Sequence, residues 1–214
     1  MKLAITPLVL STATFGLMLV VAENAQAFDL IPKVTVQTDM GTQSGFNIVN
    51  TVNGAGLVPN SVGPLHVASQ LNTNNSTFWQ AAGITGSITF GFGRVYNLVG
   101  FNFWNLNGGG QTRFRGINGV QIQYSTDGTN FFNIAGAPTN FTQGVETLAA
   151  QLPQEVNFAP VRASHVKFNV QSNFGNSQLR SGFAEIQFKS IPEPSSTLAL
   201  LALGLAGIGL RKRI

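Results

Sequence analysis

Residues 119–128 read Gly-Val-Gln-Ile-Gln-Tyr-Ser-Thr-Asp-Gly, and this stretch decides the fold class. Val120, Ile122 and Tyr124 alternate with two glutamines, which is the period-two pattern of a strand with one apolar face and one polar face. Residues 126–129, Thr-Asp-Gly-Thr, predict a hairpin turn, because an Asp-Gly pair tolerates the positive φ angles that a tight hairpin needs. The stretch therefore predicts an antiparallel strand followed directly by a reversal of the chain.

The same alternation recurs on both sides of this stretch, between segments that are rich in Gly and Asn. The alternating runs are 34–38, 88–92, 99–103, 166–170 and 184–188. No long amphipathic helical pattern interrupts these runs, and the chain has no cysteine that could form a disulfide. The middle of the chain therefore predicts a single all-β domain over 28–190, built as an antiparallel β-sandwich.

Charge and motif content argue against nucleic-acid binding and against catalysis. The span 28–190 holds eight Lys or Arg residues and six Asp or Glu residues, a weak and scattered net charge of +2. His66 and His165 stand alone in the sequence, and no two carboxylates form a close sequence pair suited to acid–base work. Nucleotide-binding loops and nucleophile elbows are also missing from the sequence. We expect no enzymatic activity and no nucleic-acid partner.

The first 27 residues have the three parts of a secretory signal peptide. Lys2 gives a positive start, residues 3–21 are apolar, and Ala25-Gln26-Ala27 is a small-x-small cleavage site. We expect processing after Ala27, so that 1–27 is removed. The alternative is an uncleaved N-terminal membrane helix.

The last residues form a second tripartite pattern. Pro192-Glu193-Pro194 precedes an apolar run over 198–210, which is short for a helix that spans a bilayer, and a basic cluster follows it at 211–213. This order resembles the PEP-CTERM sorting signal of certain Gram-negative bacteria. The resemblance implies that 191–214 is a hydrophobic sorting helix, which holds the protein in the membrane transiently until the peptidase exosortase cuts near Pro192-Glu193-Pro194. A plain tail anchor is the alternative.

Four stretches of the middle segment, in this order, resemble the discoidin domain, the coagulation-factor C-type module of the galactose-binding-like jelly rolls. They are 71–79 with its Thr-x-Trp ending, 88–103, 119–128, and 163–168 followed by 184–186. The resemblance covers roughly 60–190. It implies a jelly-roll sandwich in which Trp79 packs in the core.

The resemblance also implies a structural Ca²⁺ site. Asn72, Asn74 and Thr77 align with the ligand-bearing positions of the family, and Glu185 aligns with its carboxylate. Hard oxygen ligands of this kind are what Ca²⁺ prefers. The family usually has Asp at the positions of Asn72 and Asn74, so the loss of two charges should weaken ion binding. The alternative is a loop closed by Asn side-chain hydrogen bonds, with Glu185 solvated.

A candidate ligand-binding set follows the strand over 99–103. Trp104 comes directly after Phe103, so one of the two should face away from the core. Trp104 also borders the loop that begins at Asn105, and Arg113 and Arg115 follow that loop. Stacking of an aromatic ring on a sugar, with guanidinium hydrogen bonds to its hydroxyls, would make a carbohydrate site of these residues. The alternative is an exposed loop with two solvated arginines.

The sequence thus favours an exported, non-catalytic module that recognises carbohydrate at the cell surface or in the exopolysaccharide matrix of a Gram-negative bacterium. The main alternative is a structural biofilm or matrix protein that acts through protein contacts and has no small ligand. A glycan-active enzyme is the least supported reading, because no suitable carboxylate pair is present.

Overall fold

The computed structural model describes residues 28–67, 77–146, 149–175 and 178–192. Within these ranges the chain forms ten β-strands and two short 3₁₀ helices, Ile48–Thr51 and Arg113–Arg115. The strands are β1 (Asp29–Leu30), β2 (Thr35–Thr38), β3 (Leu57–Val58), β4 (Leu65–His66), β5 (Trp79–Gln80), β6 (Gly86–Asn105), β7 (Val120–Ser125), β8 (Phe132–Asn133), β9 (Gln154–Val170) and β10 (Gly182–Ile191). No α-helix occurs in this part of the chain, and none of its helices is long and apolar enough to cross a membrane.

Two long strands, β6 and β9, each contribute one half to each layer of a sandwich. In the first layer the early part of β6 lies between β2 and the late part of β9, which is followed by β7 and β8. In the second layer the late part of β6 lies between β10 and the early part of β9, and β10 carries β1 and β5 on its other edge. The pairing of β6 with β9 is interrupted between Gly91 and Tyr96, where Gly93 adopts a φ of +73°. All these pairings are antiparallel, which confirms the predicted antiparallel β-sandwich.

The space between the layers is filled mainly by phenylalanine. Phe90 and Phe188 come from opposite layers, and their ring centroids lie 5.1 Å apart in an edge-to-face contact. The rings of Phe101 and Phe168 lie 5.5 Å apart in the same core. Trp79 is fully buried against Phe183, as the resemblance to the discoidin domain implied. Burial of large aromatic side chains holds this cysteine-free domain together.

The predicted turn lies at the predicted place but is wider than a tight hairpin. β7 and β8 pair at Tyr124 and Phe132, and the connection between the two strands runs over 126–131. Asp127 organises this loop, since its Oδ1 accepts hydrogen bonds from the N–H groups of Thr129 and Asn130 at 2.8 Å each. Gly128 has a φ of +78°, while Asp127 does not adopt a positive φ. The chain therefore reverses through a longer loop that the Asp127 side chain stabilises, and does not form the predicted tight hairpin turn.

The sandwich has two distinct ends. The loop end comprises 105–119 and 171–182, where β6 finishes and β10 begins. The terminal end comprises 28–34, 93–96 and 190–192, and there β1 pairs with the last residues of β10. The first and last described residues, 28 and 192, therefore both lie at the terminal end, opposite the loop end.

One glycine in the second layer gives a stability prediction. A Cβ at Gly100 would collide with the backbone oxygen of Val156 on the neighbouring strand. We expect Gly100→Ala to lower the free energy of unfolding by about 1–3 kcal/mol, because β6 and β9 must move apart to make room for the added methyl group. Gly83→Ala is the matched control, since no atom lies within 4 Å of its Cβ position. Urea denaturation measures both, and equal stabilities of the two variants would contradict the close packing at Gly100.

Candidate functional site

Trp104 is fully buried, so the expectation that it presents its ring to a ligand is wrong. It packs against Phe46, Phe78, Leu106 and Ala184 in a second apolar cluster on the outer face of the second layer. Chain segments that precede the long strands cover this face. The alternation was interpreted correctly, because neighbouring residues of β6 do face opposite sides, but both sides are buried here.

Asn105 is also buried, and its side chain is occupied by the fold. Its Nδ2 donates to the carbonyl oxygens of Ile117 and Thr142 at 2.8 and 2.9 Å. Its Oδ1 accepts from the N–H groups of Leu106 and Ile117 at 3.0 Å each. These four bonds satisfy the whole amide. Asn105 therefore joins three loop segments and has no free group for a ligand, which corrects its assignment as a binding residue.

Arg113 and Arg115 lie partly exposed on the second 3₁₀ helix, at the loop end. The Nη2 of Arg113 lies 3.0 Å from Glu146 Oε2. Arg115 donates from Nε to Gln178 Oε1 at 2.9 Å and from Nη1 to Gln80 Oε1 at 3.1 Å. Both side chains are thus partly exposed and are held in place by neighbouring polar groups, although the Nε of Arg113 is buried and has no partner among the described residues.

Three residues that the sequence interpretation missed complete this surface: Phe114, Gln178 and Arg180. Phe114 lies between the two arginines and is partly exposed, and the guanidinium carbon of Arg113 lies 4.7 Å from its ring centroid. Its position between Arg113 and Arg115 is a sequence signal that could have identified it. No periodic pattern marks 173–180, so Gln178 and Arg180 could be found only in the structure. We call Arg113, Phe114, Arg115, Gln178 and Arg180 the arginine surface.

A cavity of about 350 Å³ is lined mainly by 142–145 and 151–154, and no residue of the arginine surface is among its described lining residues. Its wall includes Val145, next to the Glu146 that binds Arg113. The loop end therefore combines a concave space with partly exposed aromatic and guanidinium groups, which are the elements of a small-ligand site.

Glu185 is almost completely buried, and only one of its two carboxylate oxygens has a hydrogen-bond partner within the described part of the chain. Its Oε1 accepts a hydrogen bond from the N–H of Gly54 at 3.1 Å, while its Oε2 has no partner among the residues that the structure describes. Burial raises the pKa of Glu185 to about 8, against the opposing effect of the Gly54 bond. The solvated carboxylate of the alternative interpretation is therefore wrong.

Thr77 lies close to the same turn of the chain as Glu185. Its carbonyl oxygen is 3.2 Å from the Nε2 of His66, and Gly56 packs against both side chains. Asn72 and Asn74 lie outside the described residues. Among the described residues no group of three or more His, Cys, Asp or Glu could hold a metal. The Ca²⁺ site that the discoidin resemblance implies would therefore contain a single carboxylate, that of Glu185, and neutral oxygens from Asn72, Asn74 and Thr77. The Oε2 of Glu185, which has no partner among the described residues, fits such a site.

The two histidines contact structural groups. His66 is buried, with Nδ1 at 2.7 Å from the carbonyl oxygen of Val67 and Nε2 at 2.9 Å from that of Ala55. His165 contacts the Ser164 hydroxyl through Nδ1 at 2.8 Å. Of the expected processing residues, Pro192 directly follows β10, whereas Ala27, Glu193 and Pro194 lie outside the described residues.

Comparison with known families agrees with both resemblances. A family model for the F5/8 type C domain matches residues 58–183, and a model for the PEP-CTERM protein-sorting motif matches 190–213. The discoidin-like and PEP-CTERM resemblances are thereby confirmed. No curated protein sequence matches the chain.

Solved structures show the same fold at low sequence identity. An F5/8 type C domain from Bacteroides fragilis is 14% identical, with a TM-score of 0.53, over 78% of this chain and 98% of that domain. A family 32 carbohydrate-binding module from C. perfringens NanJ, solved with galactose, is 14% identical, with a TM-score of 0.51, over 77% of this chain and 100% of that module. A family 89 glycoside hydrolase from Clostridium perfringens is 20% identical, with a TM-score of 0.48, over 77% of this chain. The chain spans only 15% of that hydrolase's length.

Proposed function

Because the chain belongs to the F5/8 type C domain family and carries a PEP-CTERM sorting motif, we propose that it is an exported, non-catalytic carbohydrate-binding module. It acts at the cell surface or in the exopolysaccharide matrix of a Gram-negative bacterium. The arginine surface is the single observation that carries the proposal. It offers a partly exposed ring and guanidinium donors, which are the groups that hold a sugar by stacking and by hydrogen bonds.

The position of the sorting motif supports binding at the loop end. The motif begins at the terminal end, directly after β10 has paired with β1. A chain held in the membrane through this motif before exosortase acts would therefore present its loop end away from the membrane. After processing, the same surface remains open to matrix polysaccharide.

A structural Ca²⁺ ion is part of the proposal. Glu185 would supply Oε2, and Thr77, Asn72 and Asn74 would supply neutral oxygens. The ion would balance the buried carboxylate and hold the turn containing Gly54 against the second layer. It would act on stability and on loop position, without a chemical step.

A glycan array with the full chain tests carbohydrate binding, and Phe114→Ala tests its location. We expect the wild type to bind at least one glycan and Phe114→Ala to weaken that binding about two- to tenfold, because the loss of a stacking contact costs about 0.5–1.5 kcal/mol. Phe132→Ala is the matched control, since Phe132 is a more exposed ring on β8, away from the loop end.

Circular dichroism checks that both variants remain folded at the temperature of the array. If a folded wild type bound no glycan, carbohydrate recognition would be excluded and a structural matrix protein would be favoured. If Phe132→Ala weakened binding as much as Phe114→Ala, the site would not lie at the arginine surface.

A further inference from the structure

The loop end carries positive charge that the described residues do not neutralise. Arg113, Arg115 and Arg180 all lie there, and only Arg113 has an acidic partner, Glu146, within the described part of the chain. The guanidinium of Arg115 is held by the neutral amides of Gln178 and Gln80 instead. Neither Arg115 nor Arg180 therefore forms an ion pair within the described part of the chain.

The acidic residues near this end are already engaged. Asp39 accepts hydrogen bonds from the backbone N–H and the hydroxyl of Ser87, at 2.6 and 2.8 Å. Glu146 is bound to Arg113. The other acidic residues of 28–190 lie outside the loop end: Asp29, Asp127, Glu155 and Glu185. The two arginines are thus partly exposed and have no counter-charge from the described residues.

The fold brings together the two segments that carry these arginines, because Arg115 donates to Gln178, two positions before Arg180. The Nδ2 of Asn173 donates to the carbonyl oxygens of Gln178 and Arg180 at 2.8 and 2.9 Å, which fixes the segment that carries Arg180. Burial, and then repulsion by Arg180, lower the pKa of Arg115. Two neighbouring guanidinium groups repel each other, and a bound anion would offset this electrostatic repulsion. The arrangement is therefore suited to an anionic ligand more than to a neutral one.

We propose that the loop end binds an acidic sugar, whose anionic group accepts hydrogen bonds from Arg115 and Arg180 while Phe114 packs against its ring. The proposal rests on the carbohydrate-binding function above and adds the class of glycan. A uronate carboxylate and a sulfate ester share this chemistry, because each is an anion with two or more oxygens that can accept paired hydrogen bonds from one guanidinium group.

Titration calorimetry of the full chain tests the proposal with three probes: a galacturonate oligosaccharide, its carboxyl-reduced neutral counterpart, and a sulfated galactose oligosaccharide. We expect an acidic probe to bind more tightly than the neutral one. Arg180→Gln should weaken acidic binding at least about tenfold, because a charged hydrogen bond contributes about 1.5–3 kcal/mol, and should weaken neutral binding by a smaller factor. Comparison of the two acidic probes separates carboxylate from sulfate recognition.

Arg180→Gln is suitable because its guanidinium has no hydrogen bond or ion pair within the described part of the chain, so the fold should persist. Arg162→Gln is the matched control, since it removes the same charge from an exposed position near the terminal end. Equal binding of the acidic and neutral probes, or equal losses in the two variants, would overturn the proposal. Binding of the neutral probe alone overturns only this proposal, whereas binding of no glycan at all removes the carbohydrate-binding function as well.

Discussion

Trp104→Ala is expected to destabilise the domain by about 3–5 kcal/mol, the usual cost of truncating a fully buried aromatic residue. Trp104 has no exposed surface and forms the centre of the cluster with Phe46, Phe78 and Leu106. If this variant loses glycan binding, the loss should therefore be proportional to the fraction of the protein that is unfolded under the conditions of the binding assay. Urea denaturation followed by fluorescence or circular dichroism measures the loss.

Trp104→Phe separates packing from recognition. It keeps most of the apolar volume and removes the indole Nε1, which has no hydrogen-bond partner in the described part of the chain. We expect a clearly smaller loss of stability than with alanine. A folded, equally stable Trp104→Ala variant that failed to bind glycan would show that the ring acts as a ligand platform, contrary to its burial.

Glu185→Gln is expected to abolish the response of the protein to calcium. Calcium at about 100 times its Kd should stabilise the wild type by about 2.7 kcal/mol, and each kcal/mol raises the Tm of a domain of this size by about 2–4 °C. The glutamine oxygen can still accept the hydrogen bond of Gly54, but the negative charge is lost. Thermal melts with calcium and with a chelator measure the effect.

The calcium-free protein provides a second measurement on the same pair. Folding raises the pKa of Glu185 from 4.5 to about 8, so the folded state keeps a proton that the unfolded state releases. The contribution of Glu185 to stability therefore falls as the pH rises from about 4.5 to about 8, and Glu185→Gln should lack this contribution. An unchanged Tm of the wild type on chelation, or an equal calcium response of the glutamine variant, would contradict the calcium site.

The alternating runs were sufficient to predict the sandwich, because each run is long enough to show a period of two. The structure joins the runs at 88–92 and 99–103 into the single strand β6. The early half of β9 was missed because Pro160 suggests a break, and the pairing register does shift beside it, between Leu98 and Gly100 of the partner strand. The two-residue strands are too short for any periodic signal.

The candidate site was less predictable, since it depends on contacts between segments that are distant in the sequence. Alternation showed that Phe103 and Trp104 face opposite sides, but it could not show that an irregular segment around Phe46 covers the outer side. Arg113 and Arg115 were found because they follow Trp104 and the glycine-rich loop that comes after it. Arg180 lies 65 positions after Arg115, so only the fold brings them to one surface.

Hydrogen–deuterium exchange with a saturating galacturonate or galactose oligosaccharide tests the central claim most directly. If the module binds carbohydrate through the arginine surface, amides in 111–118 and 171–182 should become protected, while those at the terminal end stay unchanged. Protection confined to the terminal end, or no protection by either sugar in a folded chain, would contradict carbohydrate binding at the loop end.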